Sequence, residues 1–265
     1  MKIKMLVAAH KQYRMPEDSD TYVPIYVGAA LHDSVPEHYY ADNVGENISA
    51  KNPHYNELTA IYWGWKNLDC DAIGLVHYRR YFKGSKGSSS DRFNQIMSKA
   101  DIEKQLREHS ILLPKKRHYY IETIESHFLH SHQSVGLDAL RTVLADYPGA
   151  YKAAFEQVMS ARSAHMFNMF IMKKDEFDQF AEWLFQVLSK VEAKIDFDSL
   201  DGNEKRVMGF VSEFLMDTWI IANQKAYGEL PVLFIEKEHV MRKAFVMIAN
   251  KFNGGSRIIN THIQK

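Results

Sequence analysis

The sequence of 265 residues contains a single cysteine, no excess of charge of either sign and no long apolar run. With Cys70 alone, the chain can form neither an intramolecular disulfide nor a thiolate-rich zinc site. Its 33 basic and 33 acidic residues give no net charge, whereas nucleic-acid-binding proteins usually carry a net positive charge. We therefore expect no nucleic-acid partner. No segment approaches about 20 apolar residues, and the opening MKIKMLVAAH is too short for a signal peptide's core. We therefore expect a soluble, cytoplasmic protein.

Several familiar catalytic motifs are also absent. The chain has no GxxxxGK[ST] phosphate loop, no GxSxG nucleophile elbow, no GxGxxG fingerprint and no HExxH zinc motif. The composition is instead rich in side chains that carry rings. Aromatic residues make up 12% of the chain, tyrosines number 14 and histidines number 13. These side chains stack on other rings and hydrogen-bond hydroxyl groups, so they favour a polar ligand.

Segments typical of strands and of helices alternate along the chain, which predicts an α/β fold. No linker divides it, so we expect one domain over residues 1–240 and a C-terminal tail over 241–265. Residues 31–56 are polar and broken by proline and glycine, which predicts a long loop. The predicted strands are 3–9, 22–27, 71–76, 110–113, 166–172 and 231–235. The predicted helices are 52–68, most of 121–160, 175–194 and 204–224.

The clearest local motif is His77-Tyr78-Arg79-Arg80, which follows the apolar strand 71–76. Ligands of open α/β sheets bind beyond the carboxyl ends of the strands. Two adjacent guanidinium groups repel each other unless an anion balances them, and arginine grips phosphate oxygens with a planar fork. The motif therefore indicates a diphosphate site. The alternative is that one arginine pairs with an internal carboxylate and the other is exposed.

Two further polar residues lie in apolar surroundings. Glu213 borders a helix that is otherwise apolar, where a carboxylate serves either as a general base or as a paired structural charge. Asn168 lies within the run MFNMFIM, where a buried amide needs hydrogen-bond partners from a ligand or from neighbouring backbone. Both interpretations stay open for each residue.

Three histidines, His127, His130 and His132, are close together in the sequence. The first two are three residues apart and share one face if the segment is helical, which makes a zinc-dependent hydrolase an alternative hypothesis. No fixed carboxylate or cysteine completes a zinc site in the sequence, so polar packing is the simpler interpretation.

Six long segments, in the same order along the chain, carry a more specific signal than any single motif, and they extend to about Lys237. In these segments the chain resembles bacterial capsular and exopolysaccharide glycosyltransferases. That domain family is labelled as being of unknown function, and some of its members are linked to galactofuranosyl transfer. The segments are GENISAKNPHYNELTAIYWGWKNL, DAIGLVHYRRYF, LLPKKRHYYIETIESHFLHSH, RSAHMFNMFIMKKDEFDQFAEWLF, RVMGFVSEFLMDTWI and ELPVLFIEK.

The resemblance implies a single Rossmann-like domain of the GT-A type, with a mostly parallel central sheet and additional C-terminal helices. It implies transfer of a hexose, galactofuranose among the candidates, from a UDP-linked nucleotide sugar to a growing capsular, exopolysaccharide or O-antigen glycan. The acceptor is then a lipid-linked glycan at the inner face of the plasma membrane. A non-catalytic protein that binds glycans or nucleotides remains the alternative.

Site residues follow from the same resemblance together with the motifs above. Glu213 is the candidate general base, and Arg79 and Arg80 are the candidates that stabilise the leaving diphosphate, with help from His77. The residues expected to bind the nucleotide sugar are His10, Tyr13, Asn47, Tyr62, His77 and Tyr78. The residues expected to orient the acceptor or the sugar are His165, Asn168 and His127.

Two features of the resemblance leave alternatives open. GT-A transferases usually carry an Asp-x-Asp that holds a divalent metal, and the HYRR motif occupies that place here. Either the arginines neutralise the diphosphate directly, or a manganese or magnesium ion is held by ligands that the sequence does not identify. The basic run 115–117, flanked by Tyr119 and Tyr120, is either a peripheral membrane contact, a solvated loop or an internal phosphate contact.

Overall fold

A computed structural model describes residues 1–87 and 89–236, so the predicted tail 241–265 lies outside the described residues. Within them, nine strands form one sheet and two form a small ribbon. The strands are β1 (Ile3–Ala9), β2 (Tyr22–Tyr26), β3 (Tyr40–Ala41), β4 (Ala72–His77), β5 (Arg80–Phe82), β6 (Ile111–Pro114), β7 (Arg117–His118), β8 (Ser163–Ala164), β9 (Phe170–Lys173), β10 (Gly228–Leu230) and β11 (Val232–Phe234).

The main path of the sheet has the order β10-β6-β9-β4-β1-β2-β3. Strand β1 pairs in parallel with β2 and β4, β2 with β3, and β6 with β10, whereas β9 runs antiparallel to β4 and β6. All strands of this path except β9 thus share one direction. This mixed but mostly parallel sheet confirms the predicted α/β, GT-A-like fold.

The helices cover both faces of the sheet, as the side-chain alternation of its strands requires. In β1, Met5 and Val7 belong to one apolar cluster, while Leu6 and Ala8 belong to the other. The helices are α1 (Asn52–Tyr55), α2 (Leu58–Asn67), α3 (Lys99–Glu108), α4 (Ile124–Ser131), α5 (Val135–Ala145), α6 (Tyr151–Ser160), α7 (Lys174–Glu192), α8 (Val207–Ser212) and α9 (Leu215–Ala222).

The HYRR motif is a hairpin rather than the open end of a strand. Strand β4 extends to His77, the chain turns at Tyr78 and Arg79, and Arg80 pairs back with His77 as the first residue of β5. Strand β5 is held on its other side by β11. The two arginines are therefore fixed on a short, doubly paired strand and its turn.

Two predicted helices are each broken in the structure. The helix expected over 52–68 divides into α1 and α2 because Asn56 adopts a left-handed conformation with φ of 52°. The helix expected over 204–224 divides into a 3-10 turn, α8 and α9. Glu213 lies in the second break, between α8 and α9.

The strand expected over 166–172 begins later than predicted. Strand β9 covers Phe170–Lys173, and the chain before it turns through Phe167 and Asn168, whose φ angles are 80° and 53°. Non-glycine residues with positive φ are uncommon, and asparagine tolerates the left-handed region better than most. Asn168 therefore lies in a tight turn at the end of the sheet rather than within a central strand.

Candidate active site

The carboxyl ends of the neighbouring parallel strands β1 and β4 form the edge where the predicted site residues meet. Ala8 is in register with His77, so His10 follows β1 beside the start of the HYRR hairpin. In a sheet of this topology, this edge is the usual position of a ligand.

Tyr13 and Tyr78 stack on each other at this edge, with ring centroids 3.7 Å apart and an angle of 15° between the planes. The His10 ring lies 5.8 Å from Tyr13 and 5.4 Å from Tyr78, edge-on to both. The Tyr39 hydroxyl donates to the backbone carbonyl of Tyr13 and accepts from its N–H, which fixes the loop. We call His10, Tyr13 and Tyr78 the tyrosine stack.

Arg79 lies against the tyrosine stack. Its guanidinium lies 4.9 Å from the centre of the Tyr78 ring, and its Nε lies 3.4 Å from Glu236 without hydrogen-bond geometry. Partial burial and the nearby charges of Lys11, Arg79 and Arg206 lower the pKa of His10. The His10 ring is therefore neutral near pH 7 in this basic surrounding.

Arg80 faces a different set of neighbours. Its guanidinium lies 4.5 Å from the Phe167 ring and 6.0 Å from the Phe234 ring. Its Nε is buried without a hydrogen-bond partner, and it forms no ion pair with any described residue. The residue as a whole is half-buried, so its guanidinium, without an ion pair to a described residue, is a natural place for an anionic ligand.

Asn168 connects three elements from its turn. Its Nδ2 donates to Glu57 Oε1 at 2.7 Å and lies 3.4 Å from the carbonyl of Gly209, and its Oδ1 accepts from the Ser212 hydroxyl at 3.2 Å. All of its described contacts are internal. These contacts hold Glu57 and the turn together, and the predicted role of Asn168 in orienting the acceptor or the sugar stays a prediction.

Glu213 lies deep in the protein although part of its surface remains accessible. Burial raises the pKa of its carboxyl to about 7, and the neighbouring Glu57 carboxylate acts in the same direction. Arg80, Arg117 and a hydrogen bond from the Phe167 backbone oppose the rise. A carboxyl group with a pKa near neutrality can both take up and release a proton at physiological pH, as acid–base catalysis requires.

His77 lies in the same group of residues. Its Nε2 is 2.6 Å from the carbonyl of Phe167, an acceptor, so Nε2 carries a proton. Burial lowers the pKa of His77, and Arg80 and Arg206 lower it further against the effect of Glu57. The ring is therefore neutral near pH 7 and offers Nδ1 as an acceptor. We call Glu57, His77, Arg80 and Glu213 the Glu213 cluster.

Two residues of this region were not singled out from the sequence. Glu57 precedes α2 at its N-cap position, directly after Asn56, and its side chain makes no capping hydrogen bond. Arg206 donates from Nε to Asn56 Oδ1 at 2.8 Å, and its charge acts on both His10 and His77. Arg206 therefore lies between the tyrosine stack and the Glu213 cluster. In the sequence, the signal for Glu57 was its position directly after an asparagine at the start of a helix.

Asn47 and Tyr62 organise a loop instead of joining either group through a described contact. Asn47 donates to the carbonyls of Asn43 and Gly45 and accepts from Ser49 N–H. The Tyr62 hydroxyl donates to Glu46 at 2.9 Å. Their predicted roles in binding the nucleotide sugar remain predictions.

His165 is 3% exposed, and both of its ring nitrogens are engaged. Nδ1 hydrogen-bonds Asp217, whose other oxygen accepts the His165 backbone N–H at 3.0 Å, and Nε2 is 3.0 Å from Glu229. These contacts connect the end of β8 with α9 and β10. Its predicted role in orienting a sugar stays a prediction, and the contacts themselves are structural.

The three neighbouring histidines do not converge. His127 and His130 share the carboxylate of Glu122, at 3.1 and 3.0 Å, whereas His132 lies 3.4 Å from Glu204. Burial lowers the pKa of His127, although Glu122 opposes the shift. Glu122 is thus a hydrogen-bond partner of both rings, as the interpretation of polar packing expects. The role of His127 in acceptor binding remains a prediction.

The fit of a divalent cation can be judged from the donor groups. In residues 1–87 and 89–236, no three side chains of His, Cys, Asp or Glu are arranged to hold a metal ion. The place of an Asp-x-Asp is taken by a hairpin turn with two guanidinium groups. The described residues thus offer no ready set of metal ligands, and neutralisation of a diphosphate by the arginines stays a prediction.

The basic run 115–117 begins where β6 ends and continues into β7. Of the two tyrosines that flank it, Tyr119 is buried at 4% exposure and packs on His127, whereas Tyr120 is 80% exposed. The three alternatives for this run stay predictions. A helix of sufficient length and hydropathy to cross a membrane is not found in the described part of the chain.

Comparisons with known proteins agree with this fold. The family described as a domain of unknown function, DUF4422, matches residues 4–224. The apo structure of the bifunctional glycosyltransferase WbbM is similar, with a TM-score of 0.74 and 28% sequence identity. The alignment covers 90% of this chain and 46% of that one, so the chain spans about half the length of WbbM. No curated protein sequence matches the chain.

Proposed function

Because the chain belongs to the DUF4422 family and has a GT-A-like fold, we propose that it transfers a sugar from a nucleotide sugar to a hydroxyl group of a glycan. The observation that carries this proposal is the proximity of an unpaired guanidinium, Arg80, to a buried carboxyl group, Glu213, at the carboxyl edge of the sheet. The similarity to a bifunctional glycosyltransferase supports the same reaction class.

The donor is bound across the two groups of residues. The nucleobase packs against the tyrosine stack, where Tyr13 and Tyr78 present flat faces and Arg79 supplies a cation. The diphosphate lies between Arg79 and Arg80, with Arg206 between the two groups. The sugar then extends toward Glu57 and the free Nδ1 of His77, which accept hydrogen bonds from its hydroxyl groups.

The reaction exchanges one carbon–oxygen bond for another. The acceptor oxygen bonds to the anomeric carbon while the bond from that carbon to the diphosphate breaks and leaves its electron pair on the phosphate. Arg80 stabilises the charge that develops on the leaving group. Glu213 takes the proton of the acceptor hydroxyl, for which its carboxyl must be ionised. This arrangement fits an inverting transfer.

The finer assignments are part of the same proposal. The donor is a UDP-hexose, with UDP-galactofuranose the first to test, and the acceptor is a growing capsular, exopolysaccharide or O-antigen glycan on a lipid carrier. The enzyme works in the cytoplasm at the inner face of the plasma membrane. The cations of the chain, rather than manganese or magnesium, neutralise the diphosphate.

Glu213→Gln tests the proposal most directly. The amide keeps the size and the accepting oxygen of the side chain but cannot take up the acceptor proton. We expect transfer to fall by about 10²–10⁴-fold while donor affinity changes less than about threefold. Transfer of radiolabelled sugar to a lipid-linked glycan gives the rate, and calorimetric titration with the UDP-hexose gives the affinity.

Glu182→Gln is the matched control, because Glu182 is exposed in the middle of α7 and forms no described ion pair. It should leave both quantities unchanged. Full transfer by Glu213→Gln would show that Glu213 is not the base. Saturable donor binding by the wild-type protein with no transfer to any acceptor would instead favour a non-catalytic binding protein.

A further inference from the structure

Two apolar side chains project from a turn on the surface of the protein. Tyr120 and Ile121 follow strand β7 and are 80% and 59% exposed. Tyr120 adopts a left-handed conformation with φ of 53°, and Ile121 N–H donates back to the carbonyl of Tyr119 at 2.6 Å. This tight turn holds the two side chains out from a buried anchor, since Tyr119 is in the core.

Exposed polar and basic side chains lie on the segments that adjoin this turn. Arg162 on the neighbouring segment donates to the carbonyl of Tyr120 at 3.2 Å, and the His118 ring lies 6.0 Å from the Tyr120 ring. Arg162 and His118 are both exposed, as is Lys115 at the beginning of the basic run. The pairing of β7 with β8 brings Arg162 next to the turn.

The acidic residue nearest along the chain does not neutralise this surface. Glu122 follows Ile121 directly, but its side chain is 11% exposed and is turned inward to His127 and His130. The exposed surface therefore combines cations with one aromatic and one aliphatic side chain. A surface with this combination matches the interfacial region of an anionic bilayer, where cations meet phosphates and rings and short apolar groups enter the headgroup layer.

We propose that residues 115–121, together with Arg162, form a docking surface for an anionic phospholipid membrane. Ile121 and the Tyr120 ring enter the headgroup region, and Lys115, Lys116 and Arg162 lie against lipid phosphates. The contact is peripheral, because two apolar side chains anchor only weakly without the added attraction of the cations.

Arg117 connects this surface with the Glu213 cluster, and its guanidinium lies 5.1 Å from the ring of the buried anchor Tyr119. This residue belongs to the same segment, and its charge acts on Glu213. A membrane held at the turn therefore lies beside the position at which the acceptor hydroxyl must arrive. The purpose of the membrane contact, which is to bring the acceptor to the Glu213 cluster, rests on the proposed function. Binding to the membrane can be measured without any sugar transfer.

Vesicle co-sedimentation tests the surface with no donor or acceptor present. We expect the full-length protein to bind vesicles of phosphatidylglycerol and phosphatidylcholine at least tenfold more tightly than vesicles of pure phosphatidylcholine. Since each basic residue near an anionic surface contributes about a fivefold gain, Lys115→Glu with Lys116→Glu should weaken binding more than tenfold. Ile121→Ser should weaken it severalfold.

Matched control variants show whether membrane binding depends on this surface or only on the total charge and on any exposed apolar side chain. Lys104→Glu with Lys152→Glu reverses two exposed cations elsewhere, and Val44→Ser removes an aliphatic side chain that is 64% exposed. Both should retain wild-type binding. Equal binding to neutral and anionic vesicles, equal losses in the controls, or full competition by soluble polyphosphate would overturn the proposal. Transfer to a water-soluble acceptor reports the proposed function separately.

Discussion

At the scale of single residues, the ionisation of Glu213 connects stability with activity. Its pKa is raised to about 7 in the folded protein, above the ordinary 4.5. The folded state therefore holds this proton more tightly than the unfolded chain, so stability falls as the pH rises from about 4.5 to 7. The ionised form of Glu213 therefore opposes folding, and the proposed role as general base gives a reason for a carboxyl group at this position.

Glu213→Gln should consequently stabilise the protein at pH 8, by about 1–3 kcal/mol, because the amide is never ionised. Near pH 4 the difference between variant and wild type should disappear. Urea unfolding at the two pH values measures it, with Glu182→Gln as the control that changes neither. A variant less stable than wild type at pH 8 would show that the ionised carboxylate is a structural partner.

Arg79 and Arg80 are adjacent in sequence but face different neighbours, so their loss should have different consequences. Arg80→Ala removes the cation beside Glu213 and should lower kcat by about ten- to a hundredfold, the effect of losing a charge-assisted hydrogen bond. Arg79→Ala disturbs the tyrosine stack and should mainly raise the KM for the donor.

Steady-state kinetics on both variants, with Arg107→Ala as an exposed control, distinguishes these effects. Arg80→Ala should also move the pH profile of kcat to higher pH, since Arg80 lowers the pKa of Glu213. Identical changes in kcat and KM for the two variants would contradict separate roles.

The sequence indicated some of these residues and concealed others for physical reasons. Glu213 and Arg80 could be predicted because a charge in an apolar segment, or beside a like charge, needs a partner. Glu57 could not, because an exposed-looking Glu at a helix start is common. Only the turn at Phe167 and Asn168 brings it to Glu213.

At the scale of elements, the contact of β4 with β9 depends on Gly74. A Cβ on this residue would lie 2.7 Å from the backbone carbonyl of Phe170 and 2.5 Å from Met5 Sδ. The methionine can move but the carbonyl is fixed by the strand pairing. The turn at Phe167 and Asn168, which contacts the Glu213 cluster, directly precedes strand β9.

Gly74→Ala should therefore destabilise the protein by about 1–3 kcal/mol, the usual cost of overpacking a core. Gly87→Ala is its control, because nothing lies within 4 Å of a Cβ at Gly87. Denaturant unfolding gives the free energies. Equal free energies of unfolding for the two variants would mean that the close approach of β4 and β9 at Gly74 does not contribute to stability.

Elements with strong periodicity were predicted well, and breaks within them were not. Strand β1 and helix α7 follow their apolar patterns almost to the residue. The break at Asn56 and the turn at Phe167 and Asn168 arise from residues with positive φ, which hydrophobic periodicity does not register. Two of these three residues are asparagines, which adopt positive φ more readily than most residues, so the sequence did contain a weak signal.

At the scale of the whole molecule, the balanced net charge conceals a local concentration of cations. Arg79, Arg80, Arg117 and Arg206 all act on the groups at the carboxyl edge of β1 and β4. The chain delivers them from three separate segments, so composition could not reveal them, whereas the position of the HYRR motif after a predicted strand already indicated the edge. An anionic ligand at this edge should stabilise the entire domain.

Donor binding should accordingly raise the melting temperature without any metal. A UDP-hexose at 100 times its dissociation constant adds about 2.7 kcal/mol, or roughly 5–10 °C for a domain of this size. Because arginines rather than a group of metal ligands surround the diphosphate position in the described residues, the shift should persist in EDTA and change little with manganese. Arg80→Ala should reduce it. A shift that appears only with manganese would contradict direct neutralisation by the arginines.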